Sequence, residues 1–219
     1  MNAPAGNDSR HHDPRPVFAA YGDSLVAGWG VADADALPAR LEECFVRAGK
    51  SWRVLNFGVS GDTSVEGLAR LPMVLEAAPR AALLEFGAND CYQGLPVEDT
   101  AEALEQMIRG LRDAGTRVFL AGWRTRSDLF TPEFDDPDLA GLVPIAPPLF
   151  DARYVERFNL VHAELAARYE LPFLPHILDP LLDPELKGMF QADGVHPSAK
   201  GARLLAEALT PLLLPLLAD

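Results

Sequence analysis

Asp193-Gly194-Val195-His196 places a carboxylate three positions before an imidazole. On a tight turn this spacing lets the carboxylate accept a hydrogen bond from Nδ1. That fixes the tautomer and leaves Nε2 to take a proton from a hydroxyl. The same residues also fit a structural turn with Asp193 as its cap and His196 facing solvent. A hydroxyl is offered by Gly22-Asp23-Ser24-Leu25. A serine where a strand turns into a helix can project its Oγ from the sheet edge, and the free N–H groups of the helix favour developing negative charge. Ser24 could equally be an ordinary N-cap, and the tetrapeptide alone does not choose. Gly58-Val59-Ser60-Gly61-Asp62-Thr63-Ser64 lets the backbone approach a ligand closely and leaves an N–H unshielded; it also reads as a strand–helix turn capped by Thr63 or Ser64. Gly87-Ala88-Asn89-Asp90 offers an amide that can donate to an oxyanion, or a plain turn asparagine. Each stretch is ambiguous by itself. Together they supply a nucleophile, a base, an orienting acid and donors for an oxyanion, which is the inventory of acyl transfer.

These residues share a surface only if the elements around them bring strand ends together. Five short, mostly apolar runs are candidate strands: Val17–Tyr21, Trp52–Val59, Ala81–Phe86, Arg117–Trp123 and Pro172–Leu178. They lack clean alternation, as expected of strands covered on both faces. Between them lie segments with helical period: Leu37–Ala48, Val65–Ala77, Thr100–Ala114, Arg153–Tyr169 and Ser198–Leu209. Thr100 can cap the third of these and Gly115 end it. Strands alternating with helices predict right-handed crossovers and a doubly wound α/β sheet. Ligands bind such sheets at the carboxyl ends of the strands, near the switch point. Three of the four stretches follow directly on predicted strands.

Composition narrows the function further. The 219 residues suit one domain, expected over residues 17–219 after a polar, flexible tail of residues 1–16. His11 and His12 are then solvated tail residues. The net charge of -13, without Lys/Arg clusters, excludes nucleic acid and an anionic bilayer as partners. No apolar run is long enough to span a membrane, and Pro211 and Pro215 interrupt the C-terminal leucines, so no stable membrane anchoring is expected. No secretory h-region precedes residue 17, which makes the cytoplasm the expected compartment. Cys44 and Cys91 are expected as free thiols, since they have neither a disulfide framework nor metal-site spacing. Asp33 and Asp35 read as solvated loop carboxylates. Neither a metal nor a cofactor is called for.

The four stretches, in this order, resemble the GDSL/SGNH hydrolase superfamily, and within it the bacterial thioesterase I/lysophospholipase L1/arylesterase group. The resemblance runs from about Val17 to the last helix. It implies a flavodoxin-like three-layer α/β/α sandwich with a five-stranded parallel sheet. It assigns Ser24 as nucleophile, Asp193 and His196 as its acid–base pair, and Ser24, Gly61 and Asn89 as oxyanion-hole donors. The activity implied is that of a serine esterase or thioesterase acting on a small-molecule ester or thioester through an acyl-enzyme. A carbohydrate O-acetylesterase would use the same residues. A flavodoxin-like nucleotide or flavin binder is disfavoured, since no phosphate-cradling glycine motif follows a strand. A binding module that has lost its chemistry is disfavoured by the complete set of catalytic residue types.

One segment departs from the compact members of that superfamily. Arg124–Phe150 contains five prolines, several acidic residues and spaced aromatic and aliphatic residues. Connections longer than about 15 residues are uncommon in compact domains, so residues 124–150 are expected to form a lid-like insertion or pocket wall.

Overall fold

The computed structural model describes residues 13–125 and 152–218. The lid expected over 124–150 lies outside the described residues except for Arg124 and Thr125, and so does the expected tail up to residue 12. Residues 13–16 of that tail are held in place. Arg15 donates to Asp13, to Glu42 at 2.8 Å and to the Trp52 carbonyl at 3.4 Å, while the Arg53 N–H donates to the Pro16 carbonyl at 2.9 Å.

The chain runs β1 (Val17–Gly22), α1 (Ser24–Ala27), α2 (Leu37–Arg47), β2 (Arg53–Gly58), α3 (Ser64–Glu76), β3 (Ala81–Glu85), α4 (Ala88–Gln93), α5 (Val97–Asp113), β4 (Arg117–Ala121), α6 (Ala152–Arg168), β5 (Phe173–Leu174) and α7 (Ala199–Leu213). Among the described residues these five strands pair in parallel, in the order β2-β1-β3-β4-β5. The chain winds outward from β1 to β2, then returns across β1 to β3. The switch point therefore lies between β1 and β3.

Strand alternation explains the layers. Phe18 packs edge-on against Phe45 of α2, with ring centroids 5.2 Å apart. Tyr21 points to the other face of β1, packs against Phe86 at 5.1 Å and donates its hydroxyl to the Gly67 carbonyl of α3. Helices α2 and α3 thus cover opposite faces. Helix α7 packs beside α2, and α5 lies between α3 and α6. The result is the expected α/β sandwich. Strands β1, β3 and β4 are buried almost throughout, whereas β2, at the sheet's edge, is only half-buried. Cys44 and Cys91 are buried free thiols, as expected.

Three expectations change. The fifth strand is two residues long, because Pro172 and Pro175 flank it and neither has an N–H to donate to the ladder. Thr100 does not cap α5, which starts at Val97 after Pro96; its hydroxyl is buried and donates to Asp90 Oδ1 at 3.0 Å. Helix α4 adds an element that the apolar periodicity does not predict. Among the described residues no helix is long and apolar enough to cross a membrane.

Candidate active site

The first turn after β1 resolves what Ser24 is for locally. Asp23 is the N-cap of α1: its Oδ1 accepts from the Leu25 N–H at 3.0 Å. Ser24, the first helical residue, is relieved of capping, and its half-buried Oγ lies 2.9 Å from His196 Nε2. His196 Nδ1 in turn lies 2.8 Å from Asp193 Oδ2. The other carboxylate oxygen accepts from the backbone N–H groups of Val195 and His196, at 2.9 and 3.0 Å. Partial burial pushes the Asp193 carboxyl upward. The two backbone hydrogen bonds and the imidazole outweigh this and hold it below its ordinary value. An ionised Asp193 bonded to Nδ1 requires a proton on that nitrogen, so Nε2 is free to accept from Ser24. The loop is pinned from behind: Gln191 N–H donates to the His196 carbonyl at 2.8 Å, and Ser198 N–H to the Met189 carbonyl at 2.8 Å.

The second and third loops meet the first through one amide. Asn89, in the first turn of α4, donates from Nδ2 to the Asp62 carbonyl at 2.9 Å and to Asp23 Oδ2 at 3.2 Å. Asp62 follows β2 and Asp23 follows β1, so Asn89 ties all three strand ends together. Between β2 and Asp62, Gly61 adopts φ +90°, a left-handed conformation natural to glycine, with open space where a side chain would start. Among the described residues no backbone partner takes up the N–H of Ser24 or of Gly61. The structure therefore brings Ser24, His196 and Asp193 into one hydrogen-bonded chain, and Gly61 and Asn89 onto the neighbouring loops.

The sequence and the fold have counterparts. Residues 20–204 match the profile of the GDSL-like Lipase/Acylhydrolase family. The chain belongs to that family. It is 32% identical to the esterase TesA of Pseudomonas aeruginosa over 197 residues, covering 90% of this chain and 87% of that one. It is 30% identical over 201 residues to thioesterase 1/protease 1/lysophospholipase L1 of Escherichia coli K12, covering 89% and 82%. The crystal structure of TesA superposes with a TM-score of 0.74 at 31% identity, covering 91% of this chain and 99% of the other. The structure of AlinE4, an SGNH-hydrolase family esterase, gives 0.67 at 29% identity, covering 94% and 98%. The protein is thus an ester-hydrolysing enzyme with the SGNH-hydrolase fold.

Around the site of this GDSL hydrolase lie residues that sequence reasoning passes over. Arg70 of α3 donates to Asp62 at 2.6 Å, to the Phe57 carbonyl at 3.0 Å and to the Gly22 carbonyl at 3.4 Å, pinning the ends of β1 and β2. Glu85 ends β3 with no exposed surface, and its Oε2 accepts from the Asp23 N–H at 3.4 Å. Burial, reinforced by the neighbouring Asp23 charge, pushes Glu85 far above the carboxylate range. Gly22 makes room for this group: a Cβ there would stand 2.7 Å from Glu85 Oε2. A signal for Glu85 existed, since it is the one charged residue in an apolar run expected to be buried on both faces. Beneath the Asn89 turn, His162 of α6 is fully buried and its Nε2–H donates to the Phe86 carbonyl at 2.8 Å. Burial pushes its pKa down to about 4, so the ring is neutral.

Proposed function

We propose that the enzyme is a serine esterase/thioesterase with Ser24 as nucleophile, His196 as base and Asp193 as the group that orients it. The observation that carries this reading is the continuous chain Ser24 Oγ–His196–Asp193, with its two links at 2.9 and 2.8 Å. Ser24 Oγ attacks the carbonyl carbon of an ester or thioester while its proton passes to Nε2. The carbonyl oxygen becomes an oxyanion, bound by the backbone N–H groups of Ser24 and Gly61 and by the Asn89 amide, which exchanges one of its resting acceptors for it. Collapse expels the alcohol or thiol, which leaves with the proton from His196. Water, deprotonated by the same imidazole, then hydrolyses the acyl-enzyme and restores Ser24. The substrate classes named by its relatives, esters and thioesters, support an arylesterase-, lysophospholipase- or acyl-thioesterase-like activity.

The test is a panel of p-nitrophenyl esters, acyl thioesters and acetylated sugars of graded acyl length, with fluorophosphonate labelling. Wild type hydrolyses members of the panel and is labelled at Ser24. Ser24→Ala keeps its fold, is not labelled, and loses on the order of 10⁶ in turnover. Near-full activity in a folded Ser24→Ala variant would overturn the assignment.

A further inference from the structure

Directly after α1, Trp29 stands with 55% of its surface exposed. An indole this exposed contributes little to the core, yet the backbone that carries it is held on both sides. The backbone N–H of Trp29 donates to the Ser24 carbonyl at 3.2 Å. Its carbonyl accepts from Gln191 Nε2 at 2.7 Å, the same nitrogen that donates to the Pro197 carbonyl at 3.0 Å. Gln191 also holds the His196 carbonyl through its own N–H. Trp29 is thereby tied to the nucleophile's helix on one side and to the loop of the base on the other. Its ring lies 6.2 Å from the imidazole of His196, tilted by 45°.

Proton transfer decides which half of a substrate this ring meets. Resting on the triad reading above, the leaving-group atom must come within hydrogen-bond reach of His196 Nε2 to collect its proton. The leaving group therefore emerges beside the imidazole, while the acyl chain extends from the other side of the carbonyl carbon. We propose that Trp29 is a specificity-determining residue for the leaving group: its exposed indole face packs against a planar, apolar alcohol portion and selects aryl esters over alkyl esters of the same acid. Offset or edge-to-face contact between two aromatic rings is favoured over contact with an alkyl group by the ring quadrupoles as well as by area. The held backbone means that no loop has to be ordered for the contact, leaving only the side chain's own two torsions to settle.

Two substrate series separate this role from others. In the first, the acyl group is butyryl throughout and the leaving group is phenol or ethanol. In the second, the leaving group is phenol and the acyl chain grows. Trp29→Ala should lower the phenyl-to-ethyl ratio of kcat/KM roughly tenfold, and Trp29→Phe should restore most of it. The acyl-length profile and the rate of acyl-enzyme breakdown, read after the burst, should keep their wild-type form. Equal losses on phenyl and ethyl esters would overturn the inference and make Trp29 a support for His196. A changed acyl-length profile would overturn it in favour of an acyl-side contact. Fluorophosphonate labelling of each variant distinguishes the levels: absence of Ser24 labelling in wild type overturns the triad and this inference with it, whereas normal labelling with an unchanged phenyl-to-ethyl ratio overturns this inference alone.

Discussion

The carboxyl groups of Asp23 and Glu85 are buried beside one another behind Ser24. Neither has exposed surface, the Asp23 N–H reaches Glu85 Oε2 at 3.4 Å, and Glu85 Oε1 has no partner among the described residues. Two carboxylates this close in a low-dielectric setting cannot both ionise. Burial raises both, and Glu85 further because Asp23 is beside it. Asp23 is the better placed to carry the charge, since it accepts from Leu25 N–H and from Asn89. A protonated Glu85 can donate to it. The anion that caps α1 and holds Asn89 is thus supported by an acid from the next strand.

This pair makes stability fall as pH rises. Glu85 keeps its proton in the folded state over a range where the unfolded chain has released it. Below the unfolded value the two states bind alike. Above it the folded state binds more protons, and each pH unit costs about 1.4 kcal/mol until the folded group titrates. Glu85→Gln needs no proton and can still donate to Asp23. Its melting temperature relative to wild type should therefore climb as the pH rises above the ordinary carboxylate range, and level off where the folded Glu85 titrates, with esterase activity largely retained. Parallel melting curves over that rise would show Glu85 ionised in the folded protein.

His162 should give the opposite slope. Its folded value, about 4, lies below the ordinary histidine value. Its contribution is fully present above pH 6.5 and is lost as pH falls toward 4, because only the unfolded chain then takes up the proton. His162→Gln, whose amide can still donate to the Phe86 carbonyl, should lose less stability than wild type between pH 7 and pH 4.5, as measured by urea denaturation. An identical loss in both proteins would mean that other groups carry the acid sensitivity.

The parts of this site that depend on neighbours in sequence were legible, and the parts that depend on contacts across the sheet were not. Asp193 and His196 are three positions apart, so their pairing follows from a turn. Ser24, Gly61 and Asn89 follow apolar runs whose ends a parallel sheet must align. Glu85, Arg70, Trp29 and Gln191 acquire roles only through residues far away in sequence, Gln191 bonding to Trp29 over a separation of 162 positions. The fold shows the same division. The buried strands β1, β3 and β4 announce themselves by apolar runs. The fifth run overshoots because Ile177 and Leu178 are buried like strand residues although they lie in a turn after Pro175. Helix α4, with Asn and Asp in six residues, has little intrinsic propensity; it is set by left-handed Gly94 at its end and by burial of Ala88, Asp90 and Cys91.

Asp193, the proposed orienting acid, offers a separable test. In Asp193→Asn, the amide oxygen can still accept from the Val195 and His196 N–H groups, so the loop should hold and the melting temperature change little. The amide nitrogen, however, is a donor and cannot accept from Nδ1–H. The imidazole then places its proton on Nε2, facing Ser24, and loses its basic nitrogen there. Turnover should fall about 10⁴-fold, with the fold intact by circular dichroism. A loss below tenfold would show that Asp193 serves the turn and not the base.

Asn89 joins the proposed oxyanion site to the buried carboxyl pair, and two substitutions separate these connections. Asn89→Ala removes one donor from the oxyanion, so kcat should fall about 10²–10³-fold with KM nearly constant. It also leaves Asp23 Oδ2 and the Asp62 carbonyl without their shared donor, which should cost about 1–2 kcal/mol of stability. Asn89→Asp is nearly isosteric but sets a third carboxyl against Asp23 at the distance where Nδ2 now donates, 3.2 Å. Repulsion there, and between the introduced carboxylate and the developing oxyanion, should make it worse than alanine in both turnover and melting temperature at pH 8. Lowering the pH to 5 should narrow the stability gap between the two variants, because protonation relieves the crowded carboxyls. If the aspartate variant matched or exceeded the alanine variant at pH 8, the Asn89 amide would not be facing Asp23 in solution.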